Sequence, residues 1–156
     1  MIVCLAVISK ANAPLLVRTY VDPSLGEDQA DTTIRFHHIV HTSLDVVQEA
    51  RAGDRHVPAC RRWCAATRDM FLGHLCPMDE YEVYGYVTST QVKILAVLEE
   101  TVTSRKSELA ALLHTIHGFY VNYQLNPFSP LNQPIGSERF KLAVDRQVNG
   151  YNADIG

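Results

Sequence analysis

Ile2–Ser9, IVCLAVIS, is apolar almost without a break. Successive side chains of a strand point to opposite faces, so such a run has to be covered on both sides, as in the central strand of a layered sheet. KANAP then reads as a turn, and Pro14–Tyr20 (PLLVRTY) as a second strand closing a hairpin. Val21–Asp31 is a polar loop with Pro and Gly, after which Thr32 or Thr33 can cap a helix running to about Ala50. Residues 51–67 hold breakers and no clear period, and read as an irregular loop. Three strand candidates follow at hairpin spacing: Asp69–Leu75, Glu82–Ser89 and Gln91–Glu99. In the last, Val92, Ile94, Ala96 and Leu98 point one way, and Lys93, Leu95, Val97 and Glu99 the other. From Ser104 to Leu125 the period changes: Leu109, Leu112, Leu113, Ile116, Tyr120 and Tyr123 recur at helical spacing. Asn126-Pro127 stops that helix, and Ser137 can cap a final one, Glu138–Val148. The order β-β-α-β-β-β-α-α predicts an α+β fold, and 156 residues suit one domain with its own core.

The first helix carries the richest chemistry. Wound at about 3.6 residues per turn, FHHIVHTSLDVV places Phe36, Val40, Ser43 and Val47 on one line, flanked by Ile39, Leu44 and Val46. His37, His41 and Asp45 fall in a row on the other side, with His38 beside them. The apolar stripe is complete without the histidines, so they belong to the outward face. A shared metal ion would need ligands from elsewhere, and HHIVH lacks the glutamate base of the HExxH pattern. His56, Cys60 and Cys64, spaced by four, form a second ligand-like group without a fourth ligand, and read as incidental residues of a surface loop. No GxSxG elbow or Gly-rich phosphate loop is present, so neither an enzyme nor a bound cofactor is expected. Gly73 and Gly85, inside strand candidates, suggest a bulge or a close backbone approach. NPF at Asn126–Phe128 matches a short peptide that docks endocytic adaptor domains, a use that requires exposure. Directly after a strong helix, the expectation here is a helix stop with Phe128 as a packing anchor.

The net charge of −3 comes with no basic stripe for nucleic acid. The apolar start lacks a charged leader region and is too short to span a bilayer. The four cysteines are scattered and read as thiols of a cytosolic chain.

Four blocks, VCLAVISKANAPLLVRT, FHHIVHTSLDVV, YEVYGYVTSTQVKILAV and NPFSPLNQPIGSERF, together resemble the sedlin family of small subunits of the transport protein particle (TRAPP) complex. The resemblance spans nearly the whole chain, in order. Val21–Asp31 and residues 50–68, with HVPACRRWCAATR, depart from the family wording. The family implies a longin-like fold: a five-stranded antiparallel sheet with one helix on one face and two on the other. It further implies a non-catalytic adaptor acting in ER–Golgi and Golgi transport. Such a subunit links core small subunits to larger specific ones and so supports Rab GTPase activation, in the cytoplasm and peripheral to ER and Golgi membranes.

Asp45 matches an acidic position that the resemblance marks as important for holding partner subunits. Helical geometry independently places it outward, beside His41 and His38, where it can accept a charge-assisted bond from a partner. Two rival readings exist. One is a longin-type regulatory domain of a SNARE or coat-adaptor subunit, disfavoured by the lack of SNARE heptads or an anchor after the domain. The other is a small metal-dependent enzyme built on the histidine row.

Overall fold

Strand β1 (Ile2–Ile8) is buried along its whole length in a computed structural model that describes residues 1–21, 29–52, 70–78, 80–99, 106–130 and 133–155. Among the described residues the other elements are β2 (Pro14–Thr19), α1 (Gln29–Ala52), β3 (Phe71–Met78), β4 (Tyr81–Val87), β5 (Lys93–Glu99), α2 (Lys106–Gln124) and α3 (Glu138–Ile155). The strands make one antiparallel sheet in the order β2-β1-β5-β4-β3. The expected element order and α+β, longin-like architecture are therefore present, with β1 in the interior.

The alternation in β5 divides the core into two layers. Ile94, Ala96 and Leu98 pack with Leu109, Leu113 and Ile116 of α2 and with Phe140, Val144 and Val148 of α3. Leu95 and Val97 pack with Phe36, Ile39, Val40, Leu44 and Val47 of α1. Among the described residues one helix thus covers one face and two cover the other. Strand β1 alternates likewise from Leu5 onward, but Val3 and Cys4 both join the α1 layer. The register against β5 shifts between Ile2 and Cys4, the signature of a bulge, which inserts one extra residue and resets the faces. Ile2 is thereby turned toward α3. Its amide donates to Asn152 Oδ1 (2.8 Å), and Asn152 Nδ2 donates back to its carbonyl (3.1 Å).

Two hairpin turns lie at one end of the sheet. Asn12 and Gln91 adopt left-handed φ of 62° and 69°, and Lys93 Nζ donates to Asn12 Oδ1 (2.6 Å), joining the turns. Gln91 is therefore a turn residue, and β5 starts two positions later than the alternation suggested.

Several expectations need correction. Helix α1 begins at Gln29, so Thr32 and Thr33 lie inside it and are not its cap; the polar stretch before Thr32 carries no apolar period to reveal its first turn. Helix α3 runs to Ile155 instead of ending at Val148, because Tyr151 is buried and Asn152 is tied to Ile2. Strand β3 is Phe71–Met78, displaced from Asp69–Leu75. It includes Pro77, which an edge strand tolerates because no ladder bond needs its missing N–H. Phe128 is 91% exposed, so it is no packing anchor, although α2 does end before Asn126-Pro127. Residues 22–28 and 53–69, with His56, Cys60, Cys64 and most of the two expected loops, lie outside the described residues.

Other expectations stand. Ser137 caps α3, its Oγ accepting from Phe140 N (3.4 Å). Gly73 has φ of 78° beside a register shift between β3 and β4, and a Cβ built on Gly85 would lie 2.8 Å from Leu75 Cδ1. These are the bulge and the close approach expected of strand glycines. Cys4 and Cys76 are thiols.

Candidate partner-binding face

Helix α1 puts its apolar line on the sheet. Phe36, Ile39, Val40, Leu44 and Val47 are all buried, and Phe36 meets the ring of Tyr81 edge-on at 5.4 Å between centroids. Ser43 shares that line. Its buried hydroxyl donates to the Ile39 carbonyl (2.7 Å), which satisfies a group that would otherwise cost more than it contributes. Arg35 lies over the opposite partner of this contact, its guanidinium 5.5 Å from the Tyr81 centroid, a cation–π arrangement.

The outward face is as the helical wheel required. His37, His38, His41 and Asp45 are all exposed. Side chains four apart on a helix are about 5–6 Å apart at Cβ, so His41 and Asp45 form one polar patch. His38 adjoins it. Among the described residues no group of three or more His, Cys, Asp or Glu is placed to hold a metal ion. The face can accept and donate hydrogen bonds and present one carboxylate, which suits recognition of a partner's cationic or amide groups.

Two further clusters went unremarked in the sequence. Arg18 of β2 and Tyr20, just past its end, grip Asp145 of α3. Arg18 donates through Nε to Oδ1 (3.2 Å) and through Nη2 to Oδ2, while Tyr20 OH donates to Oδ1 (2.8 Å). Burial pushes the Asp145 carboxyl up, but the bonds from Arg18 and Tyr20 outweigh it and leave it below the ordinary value. Tyr20 is pushed up by burial and by its bond to Asp145. This is a fork that clamps helix to sheet, with both carboxylate oxygens engaged. Its one sequence signal is that Arg18 and Tyr20, two apart on a strand, face the same side.

The second cluster is His114 and His117 on α2, ring centroids 6.5 Å apart, with Tyr86 5.7 Å from His117. Burial and the neighbouring His114 hold His117 below the ordinary imidazole range. It stands on the sheet face opposite α1, so the structure does not bring it together with the α1 histidines.

Comparison with known proteins matches residues 7–149 to the family model described as Sedlin. A trafficking protein particle complex subunit 2-like protein of Xenopus tropicalis is 36% identical over 145 residues, covering 92% of this chain and 94% of the relative. The Dictyostelium discoideum protein of the same name is 30% identical over 147 residues, covering 94% and 96%. That of Mus musculus is 34% identical over 145 residues, covering 92% and 94%.

Proposed function

This chain belongs to the sedlin family, and we propose that it is a non-catalytic adaptor subunit of a trafficking protein particle complex. In this reading it links core small subunits to larger specific subunits, and so supports activation of a Rab GTPase by the assembly on ER–Golgi and Golgi routes. The observation that carries the reading is the outward face of α1. Asp45, His41 and His38 sit exposed on a helix whose other face is fully committed to the core, so their chemistry is available to a partner without disturbing the fold.

Asp45 is the proposed anchor. An interfacial carboxylate paired with a partner's Arg, Lys or backbone N–H contributes through a charge-assisted bond, and truncating such a buried, paired charge costs about 2–5 kcal/mol of binding. His41 and His38 flank it as donors or acceptors. Among the described residues no helix is long and apolar enough to cross a membrane. Residence in the cytoplasm at ER and Golgi membranes would therefore come through partner subunits.

The test is affinity purification of the tagged chain from its own cells at moderate salt, with mass spectrometry of what accompanies it. The expected result is several small subunits of the complex plus at least one large one. Asp45→Tyr should lose some or all of them while the purified variant keeps its helical and sheet signal. Recovery of the chain alone, or with SNAREs or coat subunits, would defeat the proposal. Unfolding of the isolated Asp45→Tyr protein would show that Asp45 serves the fold instead.

A further inference from the structure

We propose that Asn126–Phe128 is a second docking element, a prefolded Asn-Pro-Phe knob that inserts Phe128 into the ring-sized apolar pocket of an endocytic-adaptor domain. The tripeptide is held in one defined turn. Asn126 Oδ1 accepts from Phe128 N (3.1 Å) and the Asn126 carbonyl accepts from Ser129 N (3.0 Å), an Asx turn nested in a β-turn with Pro127 at its second position. Both ends are pinned. Leu125 N donates to the Val121 carbonyl (2.9 Å), which continues the helical winding of α2 into the turn, and Ser129 Oγ caps the Tyr123 carbonyl (2.8 Å). The aromatic ring is nevertheless 91% exposed, and Leu125 beside it 73%. A large apolar ring held outward on a turn fixed at both sides loses little conformational freedom on binding, and an aromatic anchor filling a pocket is the usual form of a binding hot spot.

Along the chain from Gly118 to Gly136 there is no Asp, Glu, Lys, Arg or His, so what the knob itself offers is apolar contact plus hydrogen bonds to the Asn126 amide. The knob follows α2, on the sheet face opposite α1, so a domain seated on it leaves the Asp45 face open. The inference stands independently of the adaptor role proposed above.

The experiment titrates the full chain against a fluorescently labelled Asn-Pro-Phe-binding domain of an endocytic adaptor. Saturable binding is expected, with little change between low and moderate salt because no ion pair is involved. Phe128→Ala should weaken it by about thirtyfold or more with an unchanged unfolding midpoint, and Asn126→Ala should weaken it as well. Asp45→Tyr should bind as the parent does. The peptide LNPFSP should compete, and the same peptide with alanine for phenylalanine should not. Failure of the folded chain to bind where the free peptide binds would overturn the proposal. So would undiminished binding by Phe128→Ala, or Phe128-dependent binding to neutral lipid vesicles with none to the domain.

Discussion

Gly85→Ala would push a methyl group into the side chain of Leu75. The added Cβ would stand 2.8 Å from Leu75 Cδ1, 3.2 Å from Cγ and 3.3 Å from Cδ2, all closer than relaxed carbon contacts of about 3.5–4.0 Å. Leu75 is buried, but it sits on the edge strand β3 and its far end can turn aside. The overpacking cost therefore falls toward the middle of the usual range of about 1–3 kcal/mol. Gly85 does not need the left-handed region, so alanine also restricts the unfolded chain, which returns about 0.4–1 kcal/mol. The net expectation is a loss of about 1.5 kcal/mol. Leu75→Ala should cost about 2–3 kcal/mol, the lower part of the range for deleting a buried leucine. In that background the Gly85 methyl meets no leucine, and the same substitution should become stabilising by about 0.5 kcal/mol. The two changes should thus be non-additive by about 2 kcal/mol. Urea unfolding of all four proteins, followed by circular dichroism with constant slope, measures this. Additive costs, or a neutral Gly85→Ala in the parent, would refute the close packing of β3 on β4.

Two more predictions concern ionisation. The Asp145 carboxyl lies lower in the folded chain than its ordinary value, so its contribution is present above the unfolded carboxylate pKa and is lost as pH falls through the folded one. Asp145→Asn should cost about 1 kcal/mol at neutral pH, since Arg18 is partly exposed. The difference from the parent should fade in acid; unfolding midpoints measured against pH check this, and a gap that stays undiminished as the pH falls would contradict it. The Cys4 thiol is pushed up to about 12 by burial, so a thiol reagent at pH 8 should reach it only through unfolding. In a Cys60→Ser/Cys64→Ser background, Cys76 should react first and Cys4 at a rate that rises with urea. Prompt labelling of Cys4 under native conditions would be inconsistent with its place in the sheet.

What could be read from the chain follows from which residues have one way to be buried. The alternation of β5 and the stripe of α1 specify their faces because each position has either a layer to meet or water, and the outward placement of His38, His41 and Asp45 comes with them. Helix ends were less legible. Asn149 and Gly150 look like a stop by local preference, yet α3 continues through them because Tyr151 and Asn152 have distant partners, and tertiary packing overrides propensity. The boundaries of β3 were hidden by Pro77 and by two register shifts, which break the period on which a strand is recognised. The Asp145 clamp joins residues more than a hundred positions apart, which no local window contains. Phe128 shows the same limit from the other side: an aromatic after a helix stop can fold back or project, and only the turn's hydrogen bonds decide.

The mutual bonds between Ile2 and Asn152, 150 positions apart, have a consequence during synthesis. Ribosomes add about 5–20 residues per second, so roughly 8–30 seconds separate the emergence of β1 from that of the side chain that pins it. Strand β2 is available almost at once, but β5, the other neighbour of β1, begins 85 positions after Ile8. For most of translation the most apolar strand therefore has one bare edge, the kind of surface that chaperones hold and that nascent chains share with one another. A chain stopped short of Asn152 would carry the whole sheet and still lack its last fastening, and would be a natural client of cellular quality control.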